Sequence, residues 1–180
     1  MRVLISTWGS PLGWRRAKYR CADGEVVEGF TTLPCHRADR AIIVALDSAV
    51  YSQQRGGYNA DAVECARAAG LEVELEGQAG GARIRPSGVR TYADWVEAAE
   101  RYIKCVAERG GRRADVVVAP AQGRVGGFSY GNPLRSRDFL AAVLAKAYLM
   151  LEGSLGDVSA ITLDVTHGIN YMPGPCAGGR

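Results

Sequence analysis

Residues 41–46 have the sequence AIIVAL, an uninterrupted apolar run that ends at Asp47 and Ser48. A short run of this kind, rich in β-branched side chains and bounded by polar residues, predicts a strand that is buried on both faces. Three other runs share this character, and we expect them to be neighbouring strands of the same sheet. They are Arg2–Thr7 (RVLIST), Ala114–Ala119 (ADVVVA) and Val158–Val165 (VSAITLDV).

The segments between these runs carry helical periodicity. Thr91 is the predicted N-cap of a helix over Tyr92–Arg109, which has apolar residues on one face and ends at Gly110. Similar patterns predict helices over Ala60–Ala69, capped by Asn59, and over Arg135–Glu152. Because strands and helices alternate, the chain is predicted to be an α/β protein with a mostly parallel sheet flanked by helices.

Other segments complete the predicted layout. Asp23-Gly24 predicts a β-hairpin between Trp14–Cys21 and Glu25–Thr32, directly after the first strand. Residues 71–75 predict an edge strand. The glycine-rich stretches Gly77–Gly88 and Pro120–Pro133 are predicted to be loops. We expect something to cover the last strand, either further residues of the chain or a partner subunit.

Charge and cysteine content exclude several classes of function. The 22 Lys and Arg residues against 19 Asp and Glu give a net charge of only +3, too weak to predict a duplex nucleic-acid partner. No apolar run is long enough to span a membrane, and the first residues resemble a strand rather than a signal peptide, so we expect a cytoplasmic protein. The 5 cysteines lack a C-x-x-C pair, which predicts free thiols and no metal site.

Polar and glycine residues follow the carboxyl ends of the predicted strands. In an open α/β sheet these ends form the ligand-binding edge, so the residues that follow them are candidates for ligand contacts. The candidates after the first two strands are Thr7, Trp8, Gly9, Ser10, Asp47 and Ser48. In the glycine-rich loop after the third strand they are Arg124, Ser129 and Tyr130, with Phe128 or Tyr130 able to stack on a base.

Common catalytic and cofactor motifs are absent or out of context. Gly127–Gly131 (GFSYG) fits the G-x-S-x-G pattern of serine hydrolases, with Asp164 and His167 following. However, Pro133 separates Ser129 from the next predicted helix, so a serine hydrolase remains only a distant alternative. The G-x-G-x-x-G pattern and the P-loop are both missing, and no cofactor is predicted.

Residues 164–170 (DVTHGIN) place an acid, a hydroxyl, an imidazole, a glycine and an amide within one strand end. One interpretation is structural, because Asp164 and Thr166 can cap the turn that follows the strand. The other is functional, with Thr166, His167 and Asn170 binding a phosphate or sugar while Gly168 permits close approach.

The same segment resembles the D-[LV]-T-H-G-x-N signature of CARF domains. These are the sensor domains of CRISPR-associated proteins, here of the branch whose full-length members carry a C-terminal HEPN ribonuclease. The opening VLISTWGSPLGW and the segment Thr31–Pro34 (TTLP) are also similar. The resemblance covers residues 1–180 and implies a Rossmann-like domain that forms a homodimer.

The resemblance also implies a ligand, cyclic oligoadenylate, and cyclic tetra-adenylate is the form that we expect. The ring would lie across the two-fold axis, in contact with the strand-end residues named above. Some CARF domains cleave their own ligand without a metal, so a ring nuclease is an alternative, with Ser10, Arg124 and His167 as candidate catalytic residues. The HEPN ribonuclease motif is absent from this sequence.

Overall fold

The computed structural model describes residues 1–77, 80–86, 88, 91–120, 123–125, 128–130 and 136–167, with the backbone alone for 123–125, 128–130, 136–140 and 142. The strands are β1 (Arg2–Trp8), β2 (Ala17–Arg20), β3 (Val26–Gly29), β4 (Arg40–Leu46), β5 (Ser52–Gln54), β6 (Glu72–Glu76), β7 (Gly81–Arg85), β8 (Asp115–Ala119), β9 (Gly123–Val125), β10 (Phe128–Tyr130) and β11 (Ala160–Asp164). The helices are α1 (Ala60–Ala68), α2 (Tyr92–Arg109) and α3 (Ser136–Leu151).

The predicted α/β architecture is confirmed. Strands β11, β1, β4 and β8 form a parallel sheet in that order. The chain adds β1, β4 and β8 in one direction and then returns through α3 to place β11 on the other side of β1. Ligands of open α/β sheets bind at the carboxyl ends of the strands, near such a reversal.

Helices cover the sheet from opposite sides. Helices α1 and α2 bury their apolar faces against β1, β4 and β8, together with Leu4, Ile43 and Val116 of those strands. Helix α3 packs on the other face, where Val143 and Ala147 are buried against the sheet. None of the described helices is long and apolar enough to cross a membrane.

Strand β11 is the exposed strand of the sheet, at the position where the sequence predicted that a covering element was still needed. Ile161 and Leu163 pair in register with Val3 and Ile5, so their side chains share the α3 face of the sheet. Nevertheless, Ile161 is 62% and Leu163 61% exposed. The reason is that α3 packs mainly against β8, at the opposite edge of the sheet, and leaves these two side chains of β11 uncovered.

Both glycine-rich loops contain strands that the sequence did not predict. In β7, Ala82 and Ile84 point inward and Arg83 and Arg85 are half-buried, an alternation that the surrounding glycines hide. Gly81 is required there, because a Cβ at this position would lie 2.9 Å from the carbonyl oxygen of Gln54. Strand β7 is the centre of a small antiparallel sheet of order β5-β7-β6, and β9 and β10 form a hairpin. Strands β2 and β3 also pair antiparallel and form the predicted hairpin after the first strand, which we call the β2–β3 hairpin.

The prediction of free thiols is wrong for the described cysteines. Cys21 forms a disulfide with Cys35, and Cys65 forms one with Cys105. The two pairs are 14 and 40 residues apart in sequence, and folding brings their Cα atoms to 5.0 and 5.5 Å. Sequence spacing cannot show this proximity, because a disulfide depends on geometry that only the tertiary fold creates.

Candidate functional site

A cleft lies at the carboxyl ends of β1 and β4, the edge where the sequence placed its ligand residues. Its volume is about 170 Å³. We call this cavity the cleft; the residues that line it are Trp8, Gly9, Ser10, Leu46, Ser48, Ala49 and Tyr51. Of these, Trp8, Gly9, Ser10 and Ser48 were predicted from the sequence.

Each wall of the cleft is a tight turn at the end of a strand. After β1, Ser10 caps a 3₁₀ turn over Pro11–Gly13, and its hydroxyl oxygen accepts a hydrogen bond from the Leu12 amide at 3.5 Å. After β4, a second 3₁₀ turn covers Asp47–Val50. The two turns keep backbone groups and small side chains at the mouth of the cleft, where a ligand could approach them closely.

The end of β11 joins this edge through residues 164–167, which we call the Asp164 turn. The Gly9 amide donates a hydrogen bond of 2.8 Å to the carbonyl oxygen of His167. The loop after β1 therefore borders the cleft on one side and is bonded to the Asp164 turn. Two of the segments predicted to form the ligand site are joined by this bond.

Aromatic rings surround the imidazole of His167. The ring centroids of Trp14 and His167 are 4.5 Å apart, and Trp14 also makes an edge contact with Trp8 at 4.8 Å. The Tyr19 hydroxyl lies 3.5 Å from Nε2 of His167. Burial lowers the pKa of His167 below its usual 6.5, although the Asp164 carboxylate and a backbone carbonyl act in the opposite direction. The imidazole is therefore neutral at pH 7.

Asp164 is the centre of a buried hydrogen-bond network. Asp164 is only 5% exposed to solvent. Oδ2 accepts hydrogen bonds from Thr32 at 2.7 Å and from Ser6 at 3.3 Å, while Oδ1 accepts one from the Thr166 amide at 2.9 Å. Nε2 of His36 lies 3.4 Å from Oδ2.

This network sets the charge state of Asp164. Burial by itself raises the pKa of the carboxyl group, but the hydrogen bonds from Thr166 and Thr32 and the nearby His36 together lower it by more, so the pKa lies below its ordinary value. Asp164 is thus an anion at neutral pH. Its bond to the Thr166 amide caps the turn, so the structural interpretation of Asp164 is confirmed.

One known family matches the chain over most of its length. A family model described as the CARF domain of the CRISPR system endoribonuclease Csx1 matches residues 3–174. The chain belongs to this CARF family. No curated protein gives a significant match to the sequence.

Some predicted site residues of the CARF domain point away from the cleft. Asp47 is 0% exposed, its carboxylate accepts a hydrogen bond from the Tyr92 hydroxyl at 2.9 Å, and its carbonyl oxygen accepts one from Trp95 at 2.7 Å. These bonds attach the end of β4 to the start of α2. Thr7 is also buried, and no described residue forms a hydrogen bond with its hydroxyl.

The remaining predicted residues lie in parts of the CARF domain that are described partly or not at all. Arg124 and Ser129 pair in register across the β9–β10 hairpin, in which Phe128 and Tyr130 are the neighbours of Ser129. A hydrolase nucleophile needs a turn from strand to helix, and a hairpin strand does not provide one. Gly168 and Asn170 lie outside the described residues.

Several residues of this edge were missed by the sequence analysis. Trp14, Tyr19 and His36 reach the Asp164 turn from segments far away in sequence, and Tyr51 lines the cleft. Thr32 also contacts this turn. It belongs to the TTLP segment, and the similarity of that segment to the family was the one sequence feature that could have marked it as a site residue. No periodicity or spacing marks Trp14, Tyr19 and His36, because their contacts depend on how the β2–β3 hairpin and its flanking segments fold back over the sheet edge.

Proposed function

We propose that this CARF domain is a sensor that binds cyclic oligoadenylate, with cyclic tetra-adenylate as the ligand expected first. Family membership supports the class of ligand. The observation that carries the proposal is the position of the cleft: it opens at the carboxyl ends of β1 and β4, and the Gly9–His167 hydrogen bond attaches the family-specific Asp164 turn beside it.

The lining of the cleft suits part of a nucleotide. Leu46, Ala49 and Tyr51 provide apolar surface for a purine, and Ser10 and Ser48 provide hydroxyl groups. The cleft volume of about 170 Å³ is below the roughly 300 Å³ at which pockets for drug-sized ligands begin. The cleft of one chain is therefore too small for the whole ring, and we expect it to take part of one nucleotide.

A homodimer is the second part of the proposal. A cyclic tetranucleotide has repeating units, and a two-fold axis through the ring would present the same strand-end groups to alternate units. Two clefts would then bind one ring, which agrees with the small volume of each. Sedimentation with and without cyclic tetra-adenylate tests this arrangement, and a ligand bound to each monomer at a ratio of one to one would contradict it.

Calorimetry with a cleft-blocking variant tests the site. Ser48→Tyr adds a ring inside the cleft, so we expect the affinity for cyclic tetra-adenylate to fall by about 30-fold or more, roughly 2 kcal/mol. Gln53→Tyr is the matched control, because Gln53 is exposed on β5 and does not line the cleft. If wild type fails to bind cyclic tetra- or hexa-adenylate, or if both variants bind as wild type does, the proposal is wrong.

A metal-independent ring nuclease is the second candidate function. The observation that favours it is the position of His167 beside the cleft, where its carbonyl oxygen accepts a hydrogen bond from the Gly9 amide. The imidazole, whose pKa is lowered by burial, would accept the proton of a ribose 2′-hydroxyl as that oxygen bonds to the adjacent phosphorus. The bond between phosphorus and the ribose 5′-oxygen breaks, the 5′-oxygen takes up a proton from water, and a 2′,3′-cyclic phosphate end results. Incubation of cyclic tetra-adenylate with the protein in EDTA should then give linear products, and His167→Gln should abolish them. An intact ring after prolonged incubation would leave the sensor function alone.

A further inference from the structure

The two disulfides occupy different places in the fold. Cys21–Cys35 joins the residue after β2 to a 3₁₀ turn over Leu33–Cys35. Cys65–Cys105 joins α1 to α2 inside the helical layer, where Cys65 is completely buried. Cys105 is ten residues beyond Trp95 on α2, or about 15 Å along the helix axis from the end that contacts Asp47.

Both ends of Cys21–Cys35 connect to groups that contact the Asp164 turn. Tyr19, two residues before Cys21, places its hydroxyl 3.5 Å from Nε2 of His167. Thr32 and His36, on the two sides of Cys35, lie 2.7 and 3.4 Å from the Asp164 carboxylate. The disulfide thus joins the β2–β3 hairpin to the 3₁₀ turn, and residues near both of its cysteines contact the Asp164 turn at the end of β11.

We propose that Cys21–Cys35 is a redox-responsive positioning group for the ligand site, and its effect on ligand affinity rests on the proposed function. While the disulfide is intact, the hairpin and the 3₁₀ turn are covalently joined, and Tyr19 and Thr32 hold the Asp164 turn from two sides. Reduction removes this tie. The Asp164 turn then depends on noncovalent bonds alone, and through the Gly9–His167 hydrogen bond the loop after β1 loosens with it.

The chemistry is ordinary thiol–disulfide exchange. The thiolate of a small-molecule thiol attacks Sγ of half-buried Cys35, forming a mixed disulfide and releasing Cys21 as a thiolate, which takes up a proton. A second thiol molecule then attacks the mixed disulfide and releases Cys35. Two protein thiols and one small-molecule disulfide result, and two electrons pass from the thiol to the protein.

The second disulfide provides a matched control. The control is the double variant Cys65→Ser, Cys105→Ser, which keeps Cys21–Cys35. The test is the double variant Cys21→Ser, Cys35→Ser, which removes the proposed positioning group and keeps Cys65–Cys105. A disulfide stabilises the folded protein more when it closes a longer loop, because it restricts the unfolded chain more. The cysteines of Cys65–Cys105 are 40 residues apart and those of Cys21–Cys35 are 14 apart, so removal of Cys65–Cys105 should cost more stability. The control variant should therefore lose more thermal stability and yet keep the site intact.

Two readouts test the proposal. The first is amide hydrogen exchange of ligand-free protein, in which exchange at residues 164–167 should become about 10-fold faster in the Cys21→Ser, Cys35→Ser variant and remain unchanged in the control. The second is calorimetry with cyclic tetra-adenylate, in which the dissociation constant should rise by about 10-fold, or 1.4 kcal/mol, only when Cys21–Cys35 is lost. Reduction of the control variant by dithiothreitol should reproduce both effects, and reoxidation should reverse them.

The outcomes separate the two proposals. Unchanged exchange at residues 164–167 after loss of Cys21–Cys35 overturns the positioning role, whatever the ligand data show. Equal changes in both double variants also overturn it, because the effect would then reflect stability alone. If oxidised wild type does not bind cyclic tetra-adenylate, the proposed function fails, and the exchange measurement still decides the positioning role. If Cys21→Ser, Cys35→Ser does not fold, dithiothreitol titration of the folded control variant supplies both readouts.

Discussion

The helical layer and the Asp164 turn are stabilised in contrasting ways. The helical layer, formed by α1 and α2, rests on apolar side chains such as Ile103 and Val106, which are completely buried against the sheet. The Asp164 turn rests instead on a single buried carboxylate with hydrogen bonds from three segments. Apolar burial is non-directional and tolerates small shifts, whereas a hydrogen-bond network holds only one geometry.

This contrast suggests how the protein separates stability from binding. Removing an apolar side chain from the helical layer should lower the free energy of unfolding without moving the ligand site. Removing a polar partner from the Asp164 turn should cost less stability and more affinity. Four predictions test this difference, in order of decreasing effect on stability.

Ile103→Ala should have the largest effect on stability. Truncation of this buried side chain loses apolar contacts and leaves a cavity, so we expect the free energy of unfolding to fall by about 4 kcal/mol. Chemical denaturation measures the loss. Calorimetry below the unfolding transition should show unchanged affinity for cyclic tetra-adenylate. A loss of affinity comparable to that of an Asp164 variant would mean that stability and binding do not depend on separate regions.

Asp164→Ala should destabilise the protein by about 3 kcal/mol, because Ser6, Thr32 and the Thr166 amide lose a charged acceptor. Asp115→Ala is the matched control at the start of β8. It removes a partly exposed carboxylate that lies 2.9 Å from the Arg40 guanidinium, so we expect a loss of less than about 1 kcal/mol. Equal losses in denaturant melts would show that the network around Asp164 is not special.

His167 should titrate below its usual pKa of 6.5, because burial disfavours the imidazolium. The unfolded chain then takes up the proton first, so the stability from neutral His167 is complete above pH 6.5 and declines as the pH falls below that value. NMR titration of the imidazole measures the pKa. In Asp164→Asn the midpoint should fall further, since the carboxylate raises it; an upward shift would contradict this electrostatic account.

Tyr102→Phe should have the smallest effect. Tyr102 is completely buried in the helical layer, and no described residue forms a hydrogen bond with its hydroxyl. Removing an unpaired buried hydroxyl relieves its desolvation cost, so we expect a change of less than about 1 kcal/mol, neutral or stabilising. A loss above that in thermal or denaturant melts would mean that the hydroxyl has a partner outside the described residues.

The elements with strong local signals were predictable. Helix α2 begins and ends where the sequence indicated, because Thr91 and Asp94 form a capping box and the apolar period is sustained over its length. Strands β1, β4 and β8 followed from their apolar runs. Strand β7 and the β9–β10 hairpin were missed, because glycines around short alternating runs resemble loops.

The candidate site was predictable only in part. Trp8, Gly9, Ser10 and Ser48 follow two parallel strands of one sheet, and that rule alone places them at the cleft. Asp47 follows the same strand as Ser48 but is turned toward α2, and nothing in the local sequence shows which side a strand-end residue will face.

The sequence by itself determined the α/β class, the edge of the sheet where the cleft opens and, through the DVTHGIN signature, the family. These follow from local patterns: apolar period, caps and a short motif. Only the tertiary structure decided that Tyr19, Thr32 and His36 meet the Asp164 turn, and that Cys21 pairs with Cys35. The reason is that such contacts join residues distant in sequence. The distances between these residues are set by how the β2–β3 hairpin folds back over the sheet.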